Sequence, residues 1–456
     1  MNLKTFITQK LGIDKAIFYT LLGKGLQIST SVFTVLFIVM FLSPIDQGYY
    51  YTFGSIVAIQ VFFELGLTGI VTQFVAHEVS HIALNVNGKL EGDTFYRSRL
   101  ASLLKICIKW YSIIAVGLLI VLFIVGFIFF TYFGETQNGN IWQFPWTVLA
   151  IGTTMNFLVT PVIAFIEGLG KVKEVAKWRM IQQCIQPIVL WGGLWLGCNI
   201  YVLGIDAITK VLVLGILIVN SPIFKVLKNL YHEEINEVVS YKKEIFPYQW
   251  RIAVSWISGY FIFQLFNPVL FAAEGAAVAG QMGMTMQAFN ALQALTLAWI
   301  NTKTPRISGL IALKKYEELD SLFNKTKKQL LLIGTSVLLL FLVCLTSIQI
   351  YNKPILGMEI GSRFLPTLPL WLMGWSTFTM FPINCWAIYL RSHKKEPLMI
   401  NSVVMGILCC ISTVTMGNLY GLYGIVISFA VLRLVSLIWI YSVYNKKKKE
   451  WHISLN

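Results

Sequence analysis

Apolar stretches of about 20 residues, separated by short polar breaks, recur from one end of the chain to the other. Each is long enough for a helix to cross roughly 30 Å of hydrocarbon while satisfying its own backbone. Twelve such spans are read, at roughly 16–42, 47–75, 110–133, 143–166, 180–200, 205–224, 251–273, 276–300, 329–350, 366–390, 398–418 and 422–444. The predicted fold is an all-α polytopic membrane protein. Breaks on one side are a few residues each, apart from about fifteen near 351–365, and those on the other side are longer.

The long break at 225–250 divides the spans six and six, and the two halves resemble each other weakly. DQGYYYTFGS in span 2 lies over AVAGQMGMTMQ in span 8, Gly48 over Gly280; DTFYRSRLASLLK before span 3 lies over DSLFNKTKKQLLL before span 9, Asp93 over Asp320; Pro161 in span 4 lies over Pro382 in span 10. An even number of spans per half makes the repeats parallel, so two six-helix bundles are expected about a pseudo-twofold along the membrane normal. The predicted organisation is an N-terminal bundle over 1–224, a cytoplasmic linker over 225–250, and a C-terminal bundle with a basic cytoplasmic tail over 251–456.

Composition supports this reading and charge orients it. The chain has 456 residues, is 56% hydrophobic and only 12% charged, with mean hydropathy +0.69, against about 25% charged in soluble domains. The net charge of +15 would suit nucleic acid, but it sits almost wholly in alternate loops. Lys4, Lys10 and Lys15 precede span 1; Lys89, Arg97 and Arg99 precede span 3; Lys171, Lys173, Lys177 and Arg179 precede span 5; Lys242, Lys243 and Arg251 precede span 7. Lys303 to Lys328 carries seven more, Arg391, Lys394 and Lys395 precede span 11, and Lys446 to Lys449 close the chain, whereas Lys353 and Arg363 alone lie in loops opposite. This is the positive-inside pattern with both termini cytoplasmic, and the basic excess faces anionic lipid, not nucleic acid. The seven cysteines show no C-x-x-C spacing and read as small apolar residues. The opening MNLKTFITQKLG lacks a signal-peptide apolar core and reads as a short interfacial helix.

Candidate chemistry lies in polar stripes inside three spans. Span 1 carries Lys24, Gln27, Ser31 and Thr34 down one helix face, span 2 carries Gln60, Glu64, Thr68 and Thr72, and span 8 carries Gln287, Asn290 and Gln293. Such stripes face protein or water rather than lipid, and hydrogen bonding between helices is the simplest use for the hydroxyls. Ionised groups say more, since a charge at mid-span costs about 2.5–3.5 kcal/mol even on the lenient insertion scale. Lys24 lies about 13 Å above the inner surface and Glu64 and Arg433 about 18 Å, one layer near the midplane. Lys210, with Asp206 one turn earlier, lies near the outer end of span 6 and can snorkel. Lys24 and Glu64, on consecutive spans, are placed to pair. Arg433 has no evident acidic partner and suits an anionic headgroup such as a phosphate or pyrophosphate bearing sugars; backbone carbonyls around it are the structural alternative.

Span 2 ends in HEVSH, the H-E-x-x-H pattern in which two histidines bind zinc and a glutamate activates water. His77, Glu78 and His81 lie where the span meets the cytoplasm, and no third ligand follows at a known spacing, so the pentad reads as a helix end with zinc as the alternative. No phosphate-binding G-x-x-x-x-G-K-[ST] occurs either.

LSPIDQGYYYTFGS, VFFELGLTG, EGLGKVKEVAKWR after span 4 and the six-plus-six plan together resemble the polysaccharide flippases, O-antigen (Wzx-type) above all, of the multidrug/oligosaccharidyl-lipid/polysaccharide exporter superfamily. The resemblance covers essentially the whole chain through diffuse patterns of glycine and loop charge. It implies two bundles around a cavity lined chiefly by spans 1, 2, 7 and 8, and alternating access. It implies as substrate an undecaprenyl-pyrophosphate-linked oligosaccharide, as in lipopolysaccharide assembly, crossing a bacterial inner membrane, with other polysaccharide-assembly membrane proteins as partners. On this reading the chain is not an enzyme and needs no cofactor. Lys24 and Arg433 attract pyrophosphate, the amides of Gln27, Gln60, Gln287, Asn290 and Gln293 meet sugars, and Ser31 and Thr68 line the cavity. Glu64 pairs or couples transport to H+ or Na+. Span 12 is not among the usual lining helices, which weighs against direct contact by Arg433. The alternatives are a multidrug/cation antiporter of the same superfamily, whose cationic substrates favour acids, and a membrane glycan polymerase or ligase, which needs a sizeable external loop.

Overall fold

The computed structural model describes residues 15–84, 90–134, 141–351, 357–393 and 395–453; the expected N-terminal interfacial helix and Lys89, Lys353 and Lys394 lie outside them. The long apolar runs fold as helices: α1 Lys15–Phe41, α2 Pro44–Val57, α3 Leu67–Val79, α4 Thr94–Phe133, α5 Gln143–Gly168, α6 Val172–Trp195, α7 Val202–Val219 and α8 Pro222–Tyr231. There follow α9 Phe246–Phe263, α10 Phe266–Glu274, α11 Ala276–Asn301, α12 Thr304–Ala312, α13 Tyr316–Tyr351, α14 Thr367–Ser392 and α15 Met399–Ile453. One departure from the all-α expectation is an antiparallel ribbon, β1 Ile82–Leu84 with β2 Leu90–Gly92, at the end of span 2.

Every expected span falls on helix, but by length and composition seven described helices suffice to cross a membrane, or eight with the bent pair in span 2, rather than twelve. The shortfall has physical causes. α6 opens on Lys173, Glu174, Lys177 and Arg179, and α11 is rich in Ala, Gly and amides, so neither is apolar enough. α15 merges two spans: its 55 residues would run roughly 80 Å as one rod. It doubles back at Gly421 (φ 57°, ψ −138°), so that the Ser436 hydroxyl donates to Asn401 Oδ1 at 3.4 Å across 35 residues of sequence. The Glu274 carboxylate takes the Leu422 N–H at 2.6 Å and so caps the returning arm.

The chain forms two compact units, one of residues up to Thr30 with Ile56–Trp256, the other of Ser31–Ser55 with residues from Ile257 onward. In the first, α5 packs against α3, α4 and α7, around a fully buried Trp146 whose indole donates to the Leu122 carbonyl at 3.2 Å. In the second, α14 packs against α13 and α15, and α10 against α11 and α15, with Phe323, Phe381 and Tyr389 buried. The aligned prolines Pro161 and Pro382 lie inside α5 and α14. The aligned aspartates diverge. Asp93 caps α4 by accepting from the Phe95 N–H at 2.9 Å, whereas Asp320 lies within α13 and pairs with Lys448 at 2.7 Å.

Candidate functional site

Span 2 is a broken helix. After a tight turn at Ala58–Gln60 and a short helix Val61–Glu64, Leu65 (φ 49°) and Gly66 (φ 69°) are both left-handed before α3 begins, all within the first unit. A leucine in that region is strained by about 1–3 kcal/mol, a cost that clusters at functional positions. The break opens directly after Glu64, whose Oε1 accepts the Thr68 hydroxyl at 2.6 Å. Thr68, Gly69 and Thr72 of α3 line a cavity of about 300 Å³ whose other walls include Thr160 of α5 and Gln182 of α6. Thr72 donates to the Ala164 carbonyl at 3.0 Å, holding α3 to α5. At the end with the basic loops, Arg179 and Glu167 form a two-pronged pair at 2.9 and 3.4 Å. Of the span 2 stripe, Thr68 and Thr72 line this cavity, while Gln60 and Glu64 lie on the other side of the break.

The expected Lys24–Glu64 pair is not formed: among the described residues neither side chain has an ion-pair partner. Glu64 instead accepts from Thr68, four residues on. Lys24 and Gln27 are exposed on α1, Gln60 is half-buried in the turn, Ser31 is half-buried and Thr34 is buried. Lys210 does pair with Asp206, at 2.7 Å.

The HEVSH residues have structural uses. Glu78 is 3% exposed and its Oε1 accepts from Arg99 Nε at 3.0 Å, while Arg99 Nη2 reaches Glu244 at 2.6 Å. His77 and His81 stand 5.9 Å apart between ring centroids, and His81 stacks on Tyr96 at 4.1 Å. Among the described residues no group of three or more His, Cys, Asp or Glu is placed to hold a metal ion. A water-activating glutamate needs a free carboxylate beside the metal, and here an arginine occupies it. The same face of α4 pins the loop that follows α8. Ser98 Oγ accepts from the Asn236 and Glu237 amides at 2.7 and 2.8 Å, Ser102 Oγ accepts from Val239 at 3.3 Å, and Arg97 pairs with Glu233. For Glu244, burial alone would raise the carboxyl, but the Arg99 guanidinium and the Ser240 amide outweigh it and hold it below the ordinary carboxylate range.

In the second unit, α2 lies against α10 and α11. The Gln47 amide donates to the Gly280 and Arg363 carbonyls at 2.8 and 3.0 Å, and Arg363 donates to the Leu42 carbonyl at 2.7 Å. Tyr51 donates to Gln287 Oε1 at 2.6 Å, and Asn267 Nδ2 donates to Ser55 Oγ at 2.9 Å. Of the span 8 stripe, Gln287 is thus engaged, while Asn290 is exposed and Gln293 half-buried. Arg433 is 6% exposed, between the rings of Phe263 at 4.8 Å and Phe429 at 4.7 Å. Its Nε and Nη2 are buried and have no hydrogen-bond partner among the described residues. The alternative of an arginine satisfied by carbonyls therefore fails for those two nitrogens; aromatic faces, worth about 0.5–2 kcal/mol each, take their place.

No protein-family model matches the chain, and no curated protein matches it in sequence. Solved structures do match over nearly its whole length. A point mutant of the Vibrio cholerae MATE transporter VcmN is 13% identical, with a TM-score of 0.57 over 96% of this chain and 97% of that one. An inward-facing multidrug resistance MATE family transporter of the MOP superfamily is 12% identical, with a TM-score of 0.57 over 93% and 99%. The MATE multidrug transporter DinF-BH is 13% identical, with a TM-score of 0.56 over 99% and 98%. The fold is that of the MATE transporters. These three solved proteins are transporters, and the apolar helices make this chain a multi-pass membrane protein.

Within the MATE fold, several residues that build these sites were not read as site residues in the sequence. Tyr51 and Asn267 lie in apolar runs and look like core and loop residues. Pro268, just past the break between α9 and α10, is the available signal for that interruption. Arg99 reads in the sequence only as a loop charge, because its partners lie 21 and 145 residues away.

Proposed function

We propose that this chain is an alternating-access flippase for an anionic lipid-linked oligosaccharide, of the undecaprenyl-pyrophosphate type, at a bacterial inner membrane. Twelve crossings in two six-helix bundles, with both termini cytoplasmic, are the arrangement this reading adopts. The supporting observation is Lys24, a cation well inside span 1 that is exposed and has no acidic partner among the described residues. An unneutralised ammonium beside Gln27 attracts a phosphate and rejects a cation. Glu64, bonded to Thr68 beside the cavity, takes the coupling role. Arg433 tunes the second unit from within, and its burial separates it from a bulky headgroup. Anionic membrane lipid meets the basic loops.

The test is reconstitution with a labelled undecaprenyl-pyrophosphate glycan. Lys24→Ala is expected to cut flipping about tenfold, the loss of roughly 1.4 kcal/mol of transition-state stabilisation. Unchanged flipping at equal protein density overturns the role of Lys24. The second reading, a multidrug antiporter, is favoured by the transporters that share the fold, two of which are described as multidrug proteins. Robust export of a lipophilic cationic dye without glycan flipping would establish it instead.

A further inference from the structure

A second cavity adjoins span 2 in the first unit, and it is apolar. Thr68 and Thr72 of α3 line the cavity described above, whereas Leu67 and Val71, each one residue earlier on the helix, line another of about 160 Å³. Cys107 and Trp110 of α4 and Ile245 of the connecting segment wall it from the other sides. Tyr241 and Gln249, which also line it, satisfy each other, the tyrosine hydroxyl donating to Gln249 Oε1 at 2.6 Å. Little is left to hold water. An apolar cavity of about 150 Å³ stays dry and accepts benzene, so this one suits a hydrocarbon of about six carbons.

The rim indicates where that hydrocarbon comes from. Val71, Cys107 and Ile245 are buried, but Trp110 is 49% exposed and stacks on Tyr241 with 6.2 Å between ring centroids. Trp110 also opens a stripe of exposed apolar side chains, Ile113, Val116, Ile120 and Ile124, spaced three or four residues apart along α4. In a membrane span that stripe is the face that meets lipid chains. Lys109, immediately before Trp110, is exposed and makes no ion pair among the described residues. A cation followed by a tryptophan at the expected start of span 3 belongs at the level of the headgroups.

We propose that this cavity is a lipid site, filled by part of an acyl chain of an anionic membrane phospholipid whose headgroup rests on Lys109. The chain gives the cavity walls the dispersion contacts that an empty space forfeits. The cation selects the headgroup, since a lysine at an anionic surface is worth about a fivefold preference. The site also accounts for the leucine at the break. Glycine meets a left-handed φ without strain, yet position 65 is leucine, and its side chain lines this cavity. A chain packed against Leu65 braces the interruption of span 2 from the lipid side.

The experiment places full-length protein in phosphatidylcholine nanodiscs doped with phosphatidylglycerol that carries a photoactivatable diazirine along one acyl chain, and maps the captured residues by mass spectrometry. Capture is expected within 106–114 and 241–249. It should fall about fivefold in Lys109→Gln, and equally when the same chain is carried by phosphatidylcholine. It should be lost in Cys107→Phe, which fills the cavity; Ile245→Phe, from the opposite wall, asks the same question should that variant fail to fold. Capture confined to the exposed stripe from Ile113 onward, or undiminished when the cavity is filled, overturns the site. Equal capture of the two headgroups overturns the role of Lys109. Preferential capture of a polyprenyl phosphate bearing the same photoactivatable group, offered in competition, overturns the assignment to phospholipid. Hydrogen exchange of the Leu65–Gly69 amides should be faster after delipidation and slow again when phosphatidylglycerol is restored; exchange indifferent to lipid overturns the brace. None of these measurements involves transport.

Discussion

Gly48 and Gly280, aligned positions in the two halves of the sequence, meet where α2 crosses α11. A side chain at Gly280 would begin 2.9 Å from the Gly48 nitrogen, and one at Gly48 would begin 2.0 Å from the Ala276 carbonyl oxygen. Both obstacles are backbone, which cannot step aside.

The crossing predicts a contrast within one helix. Gly48→Ala should lower the thermal stability of the purified protein by about 1–3 kcal/mol, the usual cost of overpacking. Gly54→Ala, two turns on with open space around it, should be neutral or gain up to about 1 kcal/mol from helix propensity. Thermal melting in detergent checks the pair, and equal effects would deny the crossing.

Arg99 should behave as a keystone. Arg99→Ala leaves Glu78 buried and unpaired, a loss of about 3–5 kcal/mol in comparable cases. Adding Glu78→Gln should restore part of it, and a double-mutant cycle measures the coupling. Limited proteolysis should find the segment 232–240 resistant in the wild type and cleavable in Arg99→Ala.

At the end of α14, His393 gives a pH signature. Burial holds its imidazole below the ordinary range, opposed by the hydrogen bond to the Tyr389 carbonyl and reinforced by His452 and Lys395. A folded value below the unfolded one of about 6.5 means that the unfolded chain binds the proton more readily. Its contribution to stability is therefore complete above about pH 6.5 and is lost as the pH falls from there through the folded value. Melting temperature should fall between pH 7.5 and 5.5, less steeply in His393→Gln. The nearby Trp451 ring, 4.6 Å from His393, offers fluorescence as a second readout.

Arg433→Met tests whether a buried cation is kept for work or for stability. Removing an unsatisfied charge in favour of a flexible apolar side chain should raise the melting temperature, as replacing buried ions often does. Transport should fall in the same variant, the usual exchange at a functional position. A variant that is both less stable and fully active would reverse the assignment.

Helix positions were legible because they follow from the apolar periodicity that each span carries by itself. The polar stripe of span 2 was legible for the same reason, and Thr68 and Thr72 do line one cavity. The partner of Glu64 was not. Estimating depth at a fixed rise per residue assumes a straight helix, and two consecutive left-handed residues, Leu65 and Gly66, break that assumption. ELGLTG differs little from glycine-containing stretches that stay helical, so the interruption has no local signature strong enough to read. Glu78 shows the opposite failure: a conspicuous motif drew attention to zinc, while the arginine that neutralises it, 21 residues on, read only as a loop charge.

The stretch 232–245 was read as a linker, yet Ser98, Ser102, Arg97 and Arg99 hold it along α4 residue by residue. Its hydrogen-bonding groups are thereby largely spent within the first unit. Should the protein be expressed as two separate polypeptides, a cut after Val219 would strip those serines and arginines of their partners, whereas a cut after Ile245 would leave them matched. The natural seam for dividing this chain lies beyond the connecting segment, which belongs with the first unit.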